Sequence, residues 1–447
     1  MLKLTPLTGH PSSTCKSEGE MTKACIVVVH PTFLLTEGFL YEQIKKLGHL
    51  VLSIQTSVEN LRIDEAKIKT SSDFYLRLGD APEKDAPQLQ SYLNNNSLNP
   101  ILFINGIDST IYYTDYLQKY FLNYPISLTA SKRRLNKFQV VQALKKARIK
   151  AIPSIEVTSV EEAKEKINQI NQLNWPIIAK PSENTAGMSN VQLVCEPEDL
   201  YDYLRENINK KHTSYSEKII KKIILQTYLD SNEYTEFAID FVSYNGQHYL
   251  AGVVEYQTVN FNGTPLRRYN YLHTPDDLTG IEILLNYTKD VLDALGVAYG
   301  FTHNELLWNE KTQQCFLIES NNRMAGNGNM ELYKYCYGIS PLEIMLQAIK
   351  GERIKMIFSQ HKRHAKIMSV YNFSTAISNS IYLKNIQSVN RIIHFRNKIR
   401  LPQDFYKYYS RAEHIGAGLL LCNDNKEVLE NDINEILIRE KAGILFE

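Results

Sequence analysis

The sequence lacks most of the signatures that would settle its class directly. Its six cysteines (Cys15, Cys25, Cys195, Cys315, Cys336 and Cys422) form no CxxC pair. Neither a zinc site nor a disulfide framework is indicated, and reduced thiols in a cytoplasmic protein are expected. Long apolar runs are also missing: Ile26–Val29 is of strand length and cannot span a bilayer. The first twenty residues are polar, with no apolar stretch of the secretory type. A net charge of +1, with Lys and Arg spread along the chain, gives no general attraction for nucleic acid or membrane. No internal repeat or low-complexity tract is present.

What is present is ordinary globular material, 43% hydrophobic and 22% charged. A chain of 447 residues calls for two to four packed units. After a loose leader (1–22), CIVVVHP reads as a buried strand, GFLYEQIKKLG as a helix closed by Gly48, and HLVLSIQT as a second strand. ILFINGID (101–108) is a further strand after a loop. That order predicts an α/β unit with a parallel sheet, and without GxGxxG it has no support as a dinucleotide site. SKRRLNKFQVVQALKKARI has helical spacing, and the strands AIPSIEV and WPIIAKP flank a charged helix. Another charged helix, PEDLYDYLRENINKK, follows, and the basic stretch 210–222 reads as a solvated connection. The strands IILQTYL, EFAIDFVS, HYLAGVVEY, AYGFTHNELLW and CFLIES predict an antiparallel sheet crossed by one helix. Residues 360–447 hold a few more strands and a terminal charged helix.

The chemistry concentrates in 300–329, where two strands flank the polar turn NEKTQQ. Alternation puts His303, Glu305 and Leu307 on one face, and Leu317, Glu319, Asn321 and Arg323 on one face of the partner. With the turn centred near residue 312, Glu305 and Glu319 stand opposite each other. Two facing carboxylates repel. A divalent cation removes that cost, and Mg²⁺ is commonly held by one or two carboxylates plus substrate phosphates. The bland alternative is a pair of exposed acids on a solvated face. Acids, Asn and Arg set inside apolar strands favour the metal. Lys180 closes the apolar strand WPIIA and opens a small-residue loop, a reasonable phosphate cradle that lacks the P-loop spacing.

The order of these pieces resembles the ATP-grasp superfamily. It runs from LNKF (Lys137) to IIAKPSENTAGMSNV (Lys180), the hinge ILQTYL, and carboxylates in E-then-ExNxR form (Glu305, then Glu319, Asn321 and Arg323). The run DALGVAYGFTHNELLWN…FLIESNNRMAGN is most similar to the L-amino-acid (dipeptide) ligases of the bacilysin-synthetase kind and the carnosine synthases. The resemblance is close over roughly 130–350. It implies an α/β (α+β) ATP-grasp fold with an N-terminal Rossmann-like pre-ATP-grasp domain (1–125). Two ATP-grasp subdomains (126–217 and 218–358) and a C-terminal α/β extension (359–447) would follow.

The resemblance also implies roles. Lys137 and Lys180 would bind ATP phosphates, with Gly187, Met188 and Ser189 closing over them as a lid. Gln226, Thr227, Tyr228 and Leu229 would form the adenine hinge, and either Glu233 or Glu236 would contact the ribose. Glu305, Glu319 and Asn321 would hold Mg²⁺, with Mn²⁺ as an alternative, and Arg323 would stabilise the transferred phosphoryl. His303 matches a substrate-side histidine of the ligases, although a satisfied core histidine fits the same pattern. The hinge departs from the family in having Gln226–Thr227 where acids are usual, and the loop after Lys180 ends SNV where SxGV is frequent. Tyr256–His273, with Arg267 and Arg268 among aromatics, reads either as a substrate contact or, preferably, as a surface loop outside the site.

The activity implied is ATP-dependent amide formation between small-molecule carboxylate and amine substrates, with amino acids as the expected class. An acyl phosphate would be the intermediate, with ADP and phosphate released. Two alternatives are another acceptor class, as in purine-pathway ligases or biotin-dependent carboxylases, and an ATP-binding module without catalysis. A homodimer is the commonest assembly for such a chain. Neither nucleic acid nor membrane is expected as a partner.

Overall fold

The computed structural model describes residues 22–31, 38–58, 65–183, 190–211, 218–261, 264–273, 280–326, 328–354, 364–372, 380–395 and 416–446. Its first layer is a four-stranded parallel sheet. The apolar runs predicted as strands form β1 (Lys23–Val29) and β2 (Leu50–Gln55), and 101–108 falls mostly in β4 (Leu98–Asn105). The region read as a loop before β4 instead contains β3 (Phe74–Arg77) between the helices Glu65–Ser71 and Pro82–Asn95. The strand order is β3-β2-β1-β4. The carboxyl ends of β1 and β4 lie side by side, Val29 against Asn105. Gly106 follows, and a Cβ there would meet the His30 carbonyl oxygen at 2.3 Å. Glycine thus lets the chain leaving β4 pass close over β1.

A small antiparallel sheet comes next, with order β5-β8-β6-β7, built from Ser154–Val157 (β5), Ile177–Pro181 (β6), Gln192–Val194 (β7) and Ile223–Thr227 (β8). Both expected helical stretches around it are divided. The first splits into Leu128–Arg133 and Lys137–Lys146, and the second into Val160–Glu165 and Ile167–Asn171. Asn136 causes the restart in the first, since its side chain accepts the Gln139 N–H at 2.8 Å as an N-cap.

The third layer is an eight-stranded antiparallel sheet, ordered β13-β12-β9-β10-β11-β14-β16-β15. Its strands are Thr235–Tyr244 (β9), Gln247–Phe261 (β10), Thr264–Leu272 (β11), Gly300–Asn309 (β12), Gln314–Asn321 (β13), His364–Val370 (β14), Val389–Phe395 (β15) and Ala417–Asn423 (β16). The preferred reading of Tyr256–His273 as a surface loop is therefore wrong. Most of it is the β10–β11 pairing, and Arg268 is buried. The described strands of the 360–447 region, β14, β15 and β16, join this sheet. One face packs Phe237, Ile239, Leu306 and Trp308 against the helix Ile281–Leu295. The other packs Ala238, Val254 and Tyr256 toward Met330, Tyr333 and β1. Among the described residues no helix is long and apolar enough to cross a membrane. Residues 1–21 of the leader and 212–217 of the 210–222 connection lie outside the described residues.

Candidate functional site

The strand pair β12–β13 brings Glu305 and Glu319 into register, as the centred turn predicts. The pairing is not a simple alternation. Leu306 faces Leu317 while Glu305 faces Glu319, so Ile318 is an extra residue in β13. The bulge reverses the faces on its two sides. Leu317 packs into the apolar core with Leu306 and Trp308, which corrects its expected place beside Glu319. Without the bulge, a strand with Leu317 in the core would turn Glu319 away from Glu305.

The two acids are met by cations from separate elements. Asn136 caps its helix, donates from Nδ2 to Glu183 Oε1 at 2.7 Å, and is followed by the Lys137 N–H donating to the Ser182 carbonyl at 2.8 Å. These bonds fix Lys137 beside the end of β6, and its Nζ lies 3.0 Å from Glu319 Oε1. Lys180 is buried on β6. Burial and the neighbouring Lys137 push its ammonium down to about 8, against the pull of Glu319 and Glu305. Glu305 is met by His303, whose Nε2 lies 3.5 Å away. Burial would raise the Glu305 carboxyl, but the His303 bond and charge, with Arg267 and Arg323 behind it, bring it down to about 2.

His303 is held in turn by residues that sequence reasoning missed. Its Nδ1 contacts Asp240 Oδ1 at 2.6 Å, its Nε2 contacts the Tyr256 hydroxyl at 3.0 Å, and Tyr333 donates to Asp240 Oδ2 at 2.6 Å. Burial opposes its charge, yet Asp240 and Glu305 raise it to about 9. Both ring nitrogens then carry protons at neutral pH. Arg267 lies over the Tyr256 ring at 3.7 Å and donates to Glu236 Oε1 at 2.5 Å. Burial, and then Glu305, raise the Glu236 carboxyl despite Arg267. Of the two ribose candidates, Glu236 thus belongs to the charge cluster, whereas Glu233 is exposed on a turn. Exclusion of Arg267 from the site is corrected by this geometry. The signal available was the interleaving of Arg and aromatics, and a bulge between Gln257 and Thr258 decided which Arg faces inward.

The hinge side chains are engaged within the protein. Gln226 Nε2 donates to Ser154 Oγ at 2.9 Å, and the Thr227 hydroxyl donates to the Leu173 carbonyl at 3.0 Å. Tyr228 and Leu229 are half-buried at the end of β8. A cleft lined by Asp108, Lys137, Val141, Gln226, Ile318 and Asn321 joins hinge and carboxylates. Asn321 is buried, opposite His303 in register. Arg323 comes just after β13, and its Nε donates to Asp108 Oδ2 at 2.9 Å. Gly187, Met188 and Ser189, and the lid they were expected to form, lie outside the described residues.

The donor set fits a hard divalent cation that takes its remaining ligands from a phosphate chain. Among the described residues no three His, Cys, Asp or Glu side chains converge as a complete cage. Two in-register carboxylates, compensated here by Lys137 and His303, suit Mg²⁺, which keeps water and phosphate oxygens in its shell.

Residues 173–331 match the family model described as the ATP-grasp domain. None of the curated protein sequences matches the chain. Among solved structures, L-amino acid ligase from Bacillus licheniformis is similar at a TM-score of 0.69 and 16% identity, covering 94% of this chain and 98% of that one. Phosphoribosylglycinamide synthetase from Anaerococcus prevotii is similar at 0.62 and 15% identity, covering 93% and 98%. N5-carboxyaminoimidazole synthetase from Staphylococcus aureus, complexed with ADP, is similar at 0.64 and 13%, covering 93% and 98%. At these identities the likeness shows the fold, and the fold is ATP-grasp.

Proposed function

We propose, from an ATP-grasp domain at 173–331 within an ATP-grasp fold, that this chain joins a carboxylate to an amine at the expense of ATP. The substrates would be amino acids and the product a dipeptide. The observation that carries the reading is the in-register pair Glu305–Glu319, with the charges of Lys137, Lys180 and Arg323 beside it. Phosphoryl transfer is mostly positioning and charge stabilisation, and this set can supply both. The division into units at 1–125, 126–217, 218–358 and 359–447 belongs to the same proposal.

In this reading Lys137 and Lys180 hold the phosphate chain of ATP, and the backbone at 226–229 reads adenine. Glu305, Glu319 and Asn321 would hold Mg²⁺, which supplies charge neutralisation at the phosphate oxygens. Arg323 meets the γ-phosphoryl as it passes to the substrate carboxylate. His303, fixed by Asp240 and Tyr256, borders the acyl phosphate so formed and stays charged near neutral pH. The amine then attacks in its unprotonated form, so turnover rises toward mildly alkaline pH. Nothing in the cluster needs to act as a general acid.

The test is a screen for ADP and phosphate release over amino acids, singly and in pairs, with mass analysis of products. The expected result is ADP, phosphate and an amide only when a carboxylate substrate is present. AMP as the stoichiometric product, or silence across every pair, would sink the dipeptide reading. ADP release that requires bicarbonate, or a carboxylate together with a ribosylamine, in place of an amino-acid pair would move the chain to another acceptor class.

A further inference from the structure

Asn322 stands between Asn321 and Arg323, and its peptide is gripped from three directions. Its N–H donates to Asp108 Oδ1 at 2.7 Å, its carbonyl accepts from Asn105 Nδ2 at 2.9 Å, and its side-chain oxygen accepts from Arg134 Nη1 at 2.8 Å. The gripping residues are themselves anchored. Asn105 Oδ1 accepts from the Thr110 and Thr114 hydroxyls at 2.7 and 2.9 Å. Arg134 pairs with buried Asp115. Asp108 and Asn105 come from the parallel-sheet unit, more than two hundred residues earlier in the chain.

The second oxygen of Asp108 accepts the Arg323 Nε–H at 2.9 Å, while Arg323 Nη1 donates to the Met324 carbonyl at 3.1 Å. With Nε and Nη1 both fixed, the plane of the guanidinium is set. A carboxylate is an expensive choice for a mere docking contact here. Asp108 lines the same cleft as Glu319, where a polyphosphate would bring more negative charge. A neutral Asn would cap the Asn322 N–H equally well. Only an acceptor on both sides can also receive the Arg323 Nε–H.

We infer that Asp108 is a positioning residue for phosphoryl transfer, acting through Arg323, so that the N-terminal unit sets the angle of the group meeting the transferred phosphate. This rests on the ligase reading above. Small misplacements of such groups cost on the order of 10²-fold in rate.

The discriminating variant is Asp108→Asn, whose amide oxygen still caps Asn322 while its NH₂ opposes the Arg323 Nε–H. Expected are a kcat lowered by about 10²-fold and a KM for ATP within about twofold of the parent. In an Arg323→Lys background the same change should alter kcat by less than about twofold, since the partner is already gone. Equal losses in both backgrounds, or none in the parent, overturn the inference. A second readout needs no turnover: the Arg323 Nε–H resonance, assigned by its loss in Arg323→Lys. It should be protected from solvent exchange in the parent and unprotected in Asp108→Asn. If no substrate elicits ADP from the parent, the ligase reading fails separately. A resonance unmoved by Asp108→Asn then overturns the positioning role, and its loss of protection upholds it.

Discussion

A lysine buried between another lysine and two carboxylates carries an adjustable charge, and Lys180 is such a group. Its burial and Lys137 together lower it to about 8, so the ammonium is complete below that pH and lost above it. Phosphates arriving beside it favour the charged form. Affinity for ATP should therefore fall as pH rises through about 8, while turnover rises with the free amine. Near pH 8, binding should take up roughly half a proton. Calorimetry of a nonhydrolysable ATP analogue in buffers of different ionisation heat measures this, and a heat independent of buffer would contradict it. Glu319 makes the complementary case. Glu319→Gln removes one negative charge and the Lys137 partner without unpacking anything apolar. Its thermal midpoint should stay near the parent's while turnover drops by about 10²-fold or more and demands more Mg²⁺. Wild-type turnover at ordinary Mg²⁺ would remove Glu319 from the metal's ligands. At this scale Glu305, Glu319 and Lys180 were legible in the sequence because charge inside apolar strands is costly without a purpose, whereas Lys137 was legible only through the family resemblance. Asp108, Asp240 and Tyr333 were not, since their partners are remote in sequence and no local spacing records the contact.

Strand pairing decides which of those residues share a face, and irregularities decide it most. Periodicity found the strands around Glu305 and Glu319, but alternation cannot register one added residue, so Leu317 was assigned to the wrong face. The β10–β11 hairpin failed for a related reason, because its polar, arginine-bearing segment reads as loop until its neighbours cover it. β3 and the helix Pro82–Asn95 were lost between stronger signals; Pro82 and Pro87 within that helix read locally as breakers. Gly252 offers a test at the same scale. A Cβ there would lie 2.3 Å from Tyr333 Cε1 and Cζ, so glycine makes the space from which the Tyr333 hydroxyl reaches Asp240. Gly252→Ala should cost about 1–3 kcal/mol through overpacking and loosen His303 with it. Tyr333→Phe keeps the ring and loses only the hydroxyl, so thermal unfolding should rank Gly252→Ala as the less stable variant. The opposite ranking would mean that the ring simply shifts and the close fit has no consequence.

Across the whole molecule, the large sheet ties its far end to its centre. Arg268 of β11 donates to Glu440, on the helix Lys426–Lys441, at 2.8 Å, and both side chains are buried. Glu440 also accepts the Tyr371 N–H at 2.5 Å. Breaking a buried pair from one side leaves an unmatched charge and costs roughly 3–5 kcal/mol. Glu440→Gln should therefore unfold at distinctly lower denaturant concentration, whereas Arg268→Met with Glu440→Leu should recover much of the loss. A double variant as weak as the single one would show that the hydrogen bonds to Ser369 and Tyr371, rather than charge, hold the junction. Because β14 pairs with β11, the sheet that carries Glu305 keeps an open edge until residues past 364 have been synthesised. A chain emerging from the ribosome thus presents β11 as a bare edge, with Arg268 waiting for a partner 172 residues downstream. That interval is when the polypeptide is most exposed to mispairing and to chaperones. Translation stalled within it would leave the carboxylate strands made and their support missing.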